Sequence, residues 1–191
     1  MRRIFLLPAL SSKPIRVVSG FTAIELMVVV SIVGILAALA APSFRSVVEN
    51  YRVRRATEDL VSTIYLARAE GIKRGGGVVL RKAGAANCGG AIQIEQWDCG
   101  WFVFIDSNGN KLIDAGEETI QVAPAATGVS IVFTLHNALA SVDRWGQFSG
   151  AGAFGFVVRP SGNTSVASAT ALCMSSGGRL ATRKGVTSCQ G

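Results

Sequence analysis

Acidic side chains are scarce in this chain: 12 Asp and Glu among 191 residues, against 19 Lys and Arg, for a formal net charge of +7. Charged residues of both signs reach only 16%, well below the roughly 25% of average soluble domains. Histidine occurs once, at His136, and the four cysteines, Cys88, Cys99, Cys173 and Cys189, include no C-x-x-C pair. Zinc held by closely spaced Cys and His is therefore poorly served, and a Ser–His–Asp triad would rest on that single imidazole. No internal repeat and no domain-sized linker interrupts the chain. With 49% hydrophobic residues and one long apolar stretch, the sequence reads as neither disordered nor multi-spanning. A globular domain carrying one apolar segment is what remains.

That segment lies near the N-terminus. Residues 1–20 hold Arg2, Arg3, Lys13 and Arg16 and no acid, and residues 21–41 are apolar except for Thr22, Glu25 and Ser31. As a helix, 21–41 would span roughly 31 Å, enough to cross a bilayer once. Basic residues before the span predict a cytoplasmic N-terminus with the remainder outside. A secretory signal has an apolar core of about 7–15 residues and ends at a small-residue site. Here the core is longer, and Ala37–Ala41 runs into Pro42 and a helix-like segment. Gly34 and Pro42 weaken the helix around them, through backbone entropy and a lost hydrogen bond. Glu25 is the residue that stands out. A carboxylate in an apolar span costs a few kcal/mol, so it either serves a function or snorkels to the interface.

Beyond the span, Ser43 to Arg74 is predicted to continue as an amphipathic helix. Phe44, Val47, Val48 and Tyr51 fall at i, i+3, i+4 and i+7, and Leu60, Val61, Ile64 and Ala67 resume the stripe. Arg52, Arg54 and Arg55 sit among Glu58 and Asp59, the pattern of a solvated face more than of a lipid or nucleic-acid contact. Gly75-Gly76-Gly77 ends the helix. From Val78 onward, short apolar runs alternate with Gly, Asn and Ser. Val78–Leu80, Ile92–Ile94, Trp101–Ile105, Thr119–Val122, Val129–Phe133, Phe154–Val158 and Ala171–Met174 read as strands of a mostly antiparallel sheet. A long N-terminal helix packed on a β-rich head is an α+β plan.

Several motifs invite chemistry. The cysteines lie in the part expected to be exported, which favours disulfides. Three pairings are open, with Cys88–Cys99 and Cys173–Cys189 the local ones; closing the second loop is worth about 3 kcal/mol in a chain-entropy account. Asp106, Asn108, Asn110, Leu112, Asp114 and Glu117 match the ligand positions of an EF-hand loop. Against calcium, Lys111 stands where a glycine is needed, and Gly100–Ile105 reads as a strand where a helix should precede. A hairpin turn with Asn108-Gly109 at its tip is the alternative. Gly150-x-Gly152-x-x-Gly155 spells a dinucleotide fingerprint but lacks the strand before it and the helix after it, so it reads as a turn. His136 has no triad-like or ligand-like neighbours. No catalytic site and no cofactor are expected.

The stretch Ser19-Gly20-Phe21-Thr22-Ala23-Ile24-Glu25-Leu26-Met27-Val28 resembles the class III signal of type IV pilins and type II secretion pseudopilins. That pattern has a basic leader ending in Gly, then an aromatic residue, Thr, and Glu at the fifth mature position; here Ala23 replaces the more usual Leu, and the leader is long. Ala67–Arg74, Cys99–Asp106 with the turn after it, and Leu172–Ser175 leading to Gly178-Arg179 are similar to the GspH/FimT/FimU group of minor pilins and pseudopilins. The resemblance implies a leader (1–20), a transmembrane and assembly helix (21–41), and an amphipathic helix with a β-rich head (42–191). It implies cleavage between Gly20 and Phe21 by a prepilin peptidase, methylation of the Phe21 amine, and pairing of Glu25 with the N-terminus of a neighbouring subunit. The expected protein is a non-enzymatic minor pilin of a type IV pilus that helps initiate or cap the filament. It would sit in the inner membrane with its head in the periplasm, and partner other major and minor pilins. The alternatives are a type II secretion minor pseudopilin and a pilus-tip subunit that binds DNA through Arg179, Arg183 and Lys184. DNA-binding relatives carry Gly-Arg-x-Arg near the C-terminus; Gly178-Arg179-Leu180-Ala181 keeps the first Arg and loses the second.

Overall fold

The computed structural model describes residues 20–88, 93–135, 137–149, 153–162 and 165–189, with the backbone alone at 41–43 and 85. The leader up to residue 19, Ile92, His136 and the Gly150–Gly152 part of the glycine motif lie outside the described residues. The chain divides into two compact units, Met1–Pro42 and Ser43–Gly191. Helix α1 (Ala23–Arg74) contributes its first stretch to one and its remainder to the other, and its backbone stays helical at Gly34 and Pro42.

In the first unit, the window Ala23–Ala40 has a mean hydropathy of 2.6 and none of it is buried, which by length and composition suits a membrane crossing. The helix starts where the sequence supplies a cap. Thr22 Oγ1 accepts the Glu25 N–H at 3.3 Å, and Glu25 stands in the first turn. Thr-x-x-Glu is the spacing of a capping box, and a carboxylate there faces the positive end of the helix dipole.

In the second unit, α1 buries Val53, Ala56, Leu60, Ile64 and Ala67 against the sheets. These fall at i, i+3, i+7, i+11 and i+14, one helical face. The expected stripe is thus half corrected. Leu60, Ile64 and Ala67 are core, but Phe44, Val47, Val48 and Tyr51 are exposed, because the buried face begins only at Val53. After Arg74 the chain takes positive φ at Gly75, Gly76 and Gly77, a conformation that other residues adopt only with strain.

Among the described residues nine strands follow: β1 (Val78–Lys82), β2 (Trp101–Ile105), β3 (Thr119–Ala123), β4 (Val129–Phe133), β5 (Leu139–Val142), β6 (Phe148–Ser149), β7 (Phe154–Pro160), β8 (Thr170–Met174) and β9 (Leu180–Lys184). They form two antiparallel sheets, β3-β2-β1-β5-β6 and β4-β7-β8-β9. Register aligns the apolar rows, with Leu80 opposite Val103 and Ala140, and Ile131 opposite Val158. Aromatic rings fill the core they share. Phe156 stacks on Phe133 at 4.7 Å and meets Trp97 edge-on at 5.0 Å, while Phe154 meets Phe148 of the first sheet at 5.1 Å. The expected strand Ile92–Ile94 is not formed by its described residues. Gln93 and Ile94 lead into a turn, and pairing occurs later, where Gln96 bridges Val132 and fully buried Trp97 donates its N–H to the Ile131 carbonyl at 2.8 Å. The tryptophan, needing the core, sets the position of the segment.

Candidate functional site

At the head of the apolar helix, Gly20 and Phe21 lie outside regular secondary structure and are exposed, Phe21 to 75%. A peptide bond outside the helix, with a glycine before the aromatic, is open to a protease cleft. Glu25 is the fifth residue beyond the Gly20–Phe21 bond, on the exposed first turn of α1. These three residues share one helix end.

The loop joining β2 to β3 holds Asp106, Asn108, Asn110, Asp114 and Glu117 together, but occupied with one another. Asp106 accepts the N–H groups of Gly109 (2.8 Å) and Lys111 (3.0 Å), and Glu117 accepts those of Ser107 (2.8 Å) and Asp114 (3.0 Å). The amide nitrogens of Asn108 and Asn110 both donate to Asp114 Oδ2, at 2.8 and 2.6 Å. Lys111, at the position where a glycine was wanted, takes φ of 62°. Among the described residues no group of three or more Asp, Glu, His or Cys is placed to hold a metal ion. What this loop does visibly is fold itself.

Both local cysteine pairs are disulfides, Cys88–Cys99 and Cys173–Cys189. The second fastens the C-terminal segment across the outer face of the β4-β7-β8-β9 sheet, where Cys189 Sγ also approaches the Leu172 carbonyl at 3.7 Å. It leaves β9 as an edge strand.

The three candidate DNA-binding cations do not form one cluster. Arg179 is exposed at the end of the turn between β8 and β9, where its N–H donates to Ser175 Oγ at 3.2 Å. Arg183 and Lys184 are exposed at the far end of β9, about 13 Å or more along the strand. Successive strand residues also point to opposite faces. Lys184 lines a cleft of about 810 Å³ against α1, facing Arg54, and Arg183 takes the other side.

Titratable groups with shifted equilibria serve the scaffold. Arg74 ties the end of α1 to Glu118, just before β3, at 2.7 Å, and pairs within the helix with Glu70 at 2.7 Å. These hydrogen bonds raise the Arg74 pKa and hold both carboxyls below their ordinary range. Asp98 is pushed up by burial, against the pull of the Ile131 N–H that it accepts. Arg68 lies within the family-like segment Ala67–Arg74, but no spacing pattern in the sequence foretells its contacts. Its guanidinium donates to the carbonyls of Gly146 and Gly178, both at 2.8 Å, joining segments 32 positions apart (178 − 146). The only hint was a basic residue one step from the buried stripe.

A profile of the family described as Type II transport protein GspH matches residues 56–185. Among curated proteins none matches the chain. Two crystal forms of the type IV minor pilin FimU of Pseudomonas aeruginosa share the fold. One aligns with a TM-score of 0.54 at 14% identity, over 72% of this chain and 99% of that one. The other gives 0.56 at 13%, over 72% and 95%.

Proposed function

Because this chain belongs to the GspH family of type II transport proteins and has the fold of a type IV minor pilin, we propose that it is a minor pilin. In this reading it is a structural subunit that helps initiate or cap a type IV pilus, with no catalytic role. The observation that carries the proposal is the junction at Gly20-Phe21, which opens an exposed apolar helix with Glu25 in its first turn, in a chain of this family. A prepilin peptidase removes residues 1–20 and methylates the Phe21 amine. Residues 21–41 hold the protein in the inner membrane, and the unit from 42 onward lies in the periplasm. On extraction into the filament, the Glu25 carboxylate leaves water and needs a cation, which the Phe21 amine of a neighbouring subunit supplies.

Intact-mass and N-terminal sequencing of protein taken from membranes test the processing step. The expected mature chain begins at Phe21 with one added methyl group. A start near Pro42, or an uncut chain in a host with the peptidase, would contradict it.

Two further readings have their own support. The family description favours a type II secretion pseudopilin, and co-purification with secretion components in place of pilus components would select it. Exposed Arg179, Arg183 and Lys184, in a stretch from Arg144 onward with no Asp or Glu, favour a DNA-binding tip subunit. The soluble head would then retard DNA at about 50 mM salt with a shallow salt dependence, since so few phosphates are contacted. Replacing all three cations by Gln should abolish the shift; equal binding by that variant removes DNA from this site.

A further inference from the structure

We propose that the turn carrying Trp145, together with the adjoining end of α1, is a docking surface for a second and different pilin-family subunit, one that presents an apolar pocket rimmed by Asp or Glu. This rests on the filament reading above and adds where and by what chemistry the head engages its neighbour. Trp145 is 74% exposed at the turn between β5 and β6, although tryptophan is ordinarily well buried. It is not alone. Tyr65 (52%) and Ile72 (58%) are exposed on α1, and with Ala69 between them they fall at i, i+4 and i+7 on the face away from Leu60 and Ile64. Ile72 lies against the turn itself, since a β-carbon added at Gly146 would come within 2.9 Å of its Cδ1. The end of the helix stripe and the turn that carries the indole thus adjoin, and exposed apolar side chains gathered in this way mark an interaction site.

The patch is fixed in advance. Asp143 Oδ1 accepts the N–H groups of Trp145 (2.8 Å) and Gln147 (2.9 Å), and the Gly146 N–H returns to the Asp143 carbonyl at 3.0 Å. Arg68 then binds this turn and the Ser175–Arg179 turn through one guanidinium. A turn already held in shape gives up little entropy on docking. Asp143, the one acid in the turn, is half-buried and holds the turn's own N–H groups, so the charges left facing outward are cationic. Arg144 and Arg179 are exposed, and among the described residues no carboxylate is in salt-bridge contact with either. Glu70, the nearest acid on the helix end, is taken by Lys73 and Arg74. An exposed tryptophan beside Arg144, with Arg179 on the turn that Arg68 ties to this one, has the composition of a binding hot spot, and its complement is apolar with an acidic border.

Other occupants fit less well. Nucleic acid would meet two guanidiniums here, with Arg183 and Lys184 about 13 Å or more away along β9, too few contacts for firm binding. A second copy of this chain would bring mostly like charge to the arginines, 19 Lys and Arg against 12 Asp and Glu.

The test places a photoreactive benzoyl-phenylalanine in the full-length chain, at exposed Gln147 or at exposed Val122, in cells that assemble the filament. Val122 lies on β3, at the opposite edge of the sheet from β6. The expected result is an adduct from position 147 with another pilin-family subunit, identified by mass spectrometry, and little from position 122. Trp145→Ala and Arg144→Glu should each lower that adduct about ten-fold, the scale of a hot-spot loss, with cellular level and both disulfides unchanged. Absence of a subunit adduct at 147 while the chain is present in sheared filaments overturns the docking surface alone. An adduct between two copies of this chain, or one sensitive to nuclease, overturns it in favour of that occupant. A chain absent from filaments altogether overturns the filament reading and this inference with it.

Discussion

Thr63 is fully buried on α1, where its hydroxyl donates to the Asp59 carbonyl at 2.8 Å and accepts the Trp101 indole N–H at 3.0 Å. That one oxygen joins the helix to β2 and satisfies a buried donor. Thr63→Val keeps the shape and removes the acceptor, so the indole N–H is left unpaired at a cost of about 1–3 kcal/mol. Urea unfolding of the full-length chain in detergent, followed by tryptophan fluorescence, should show the lower midpoint; an unchanged midpoint would mean the bond contributes nothing net. Residue pairs of this kind, 38 positions apart, are invisible in a linear pattern. The Thr22-to-Glu25 cap is a local pair, its partners within one turn, yet the sequence reading passes over it because Glu25 draws notice there only as a charge in an apolar span. In the Asp106–Glu117 loop the carboxylates that give the ligand-like spacing accept loop N–H groups, a use of the same oxygens that spacing does not reveal.

Strands that bury a continuous apolar run were readable. Trp101–Ile105 and Val129–Phe133 are found at those limits, and Phe154–Val158 extends only to Pro160. The strands that sequence reasoning passed over are short or polar. β6 has two residues, and β9 reads Leu-Ala-Thr-Arg-Lys with three of its five positions exposed, because an edge strand needs little apolar signal of its own. Gly155 falls both in the expected strand Phe154–Val158 and at the end of the glycine motif that reads as a turn; it stands within β7 opposite Cys173. Its reason is space. A β-carbon there would press on the Leu172 carbonyl and on Cys189 Sγ, so β7 must be bare where the C-terminal segment crosses it. Gly155→Ala should cost about 1–3 kcal/mol through overpacking and leave a fraction of Cys173 and Cys189 as free thiols. Alkylation under denaturing conditions, read by mass, counts them. A fully oxidised variant with the wild-type midpoint would show that the segment moves aside without cost.

At the scale of the whole molecule, the α+β plan followed from one change of period, from the helical spacing before Gly75 to the short runs after it. The split of nine strands into two sheets did not, since strand order depends on contacts between distant segments such as Val78 with Val142. The apolar helix remains the part with no core of its own: none of the window Ala23–Ala40 is buried. In the proposed account that surface is covered first by lipid and then by neighbouring subunits, and Glu25 is the group that makes the second environment specific. The measurement that bears on this most directly is the amount of chain in sheared filaments, wild type against Glu25→Ala, normalised to the amount in membranes. The account predicts that Glu25→Ala inserts and is cut at Gly20 as well as wild type, because a charge has been removed from an apolar span, but falls well below wild type in the filament fraction. Equal incorporation of the two proteins would contradict it.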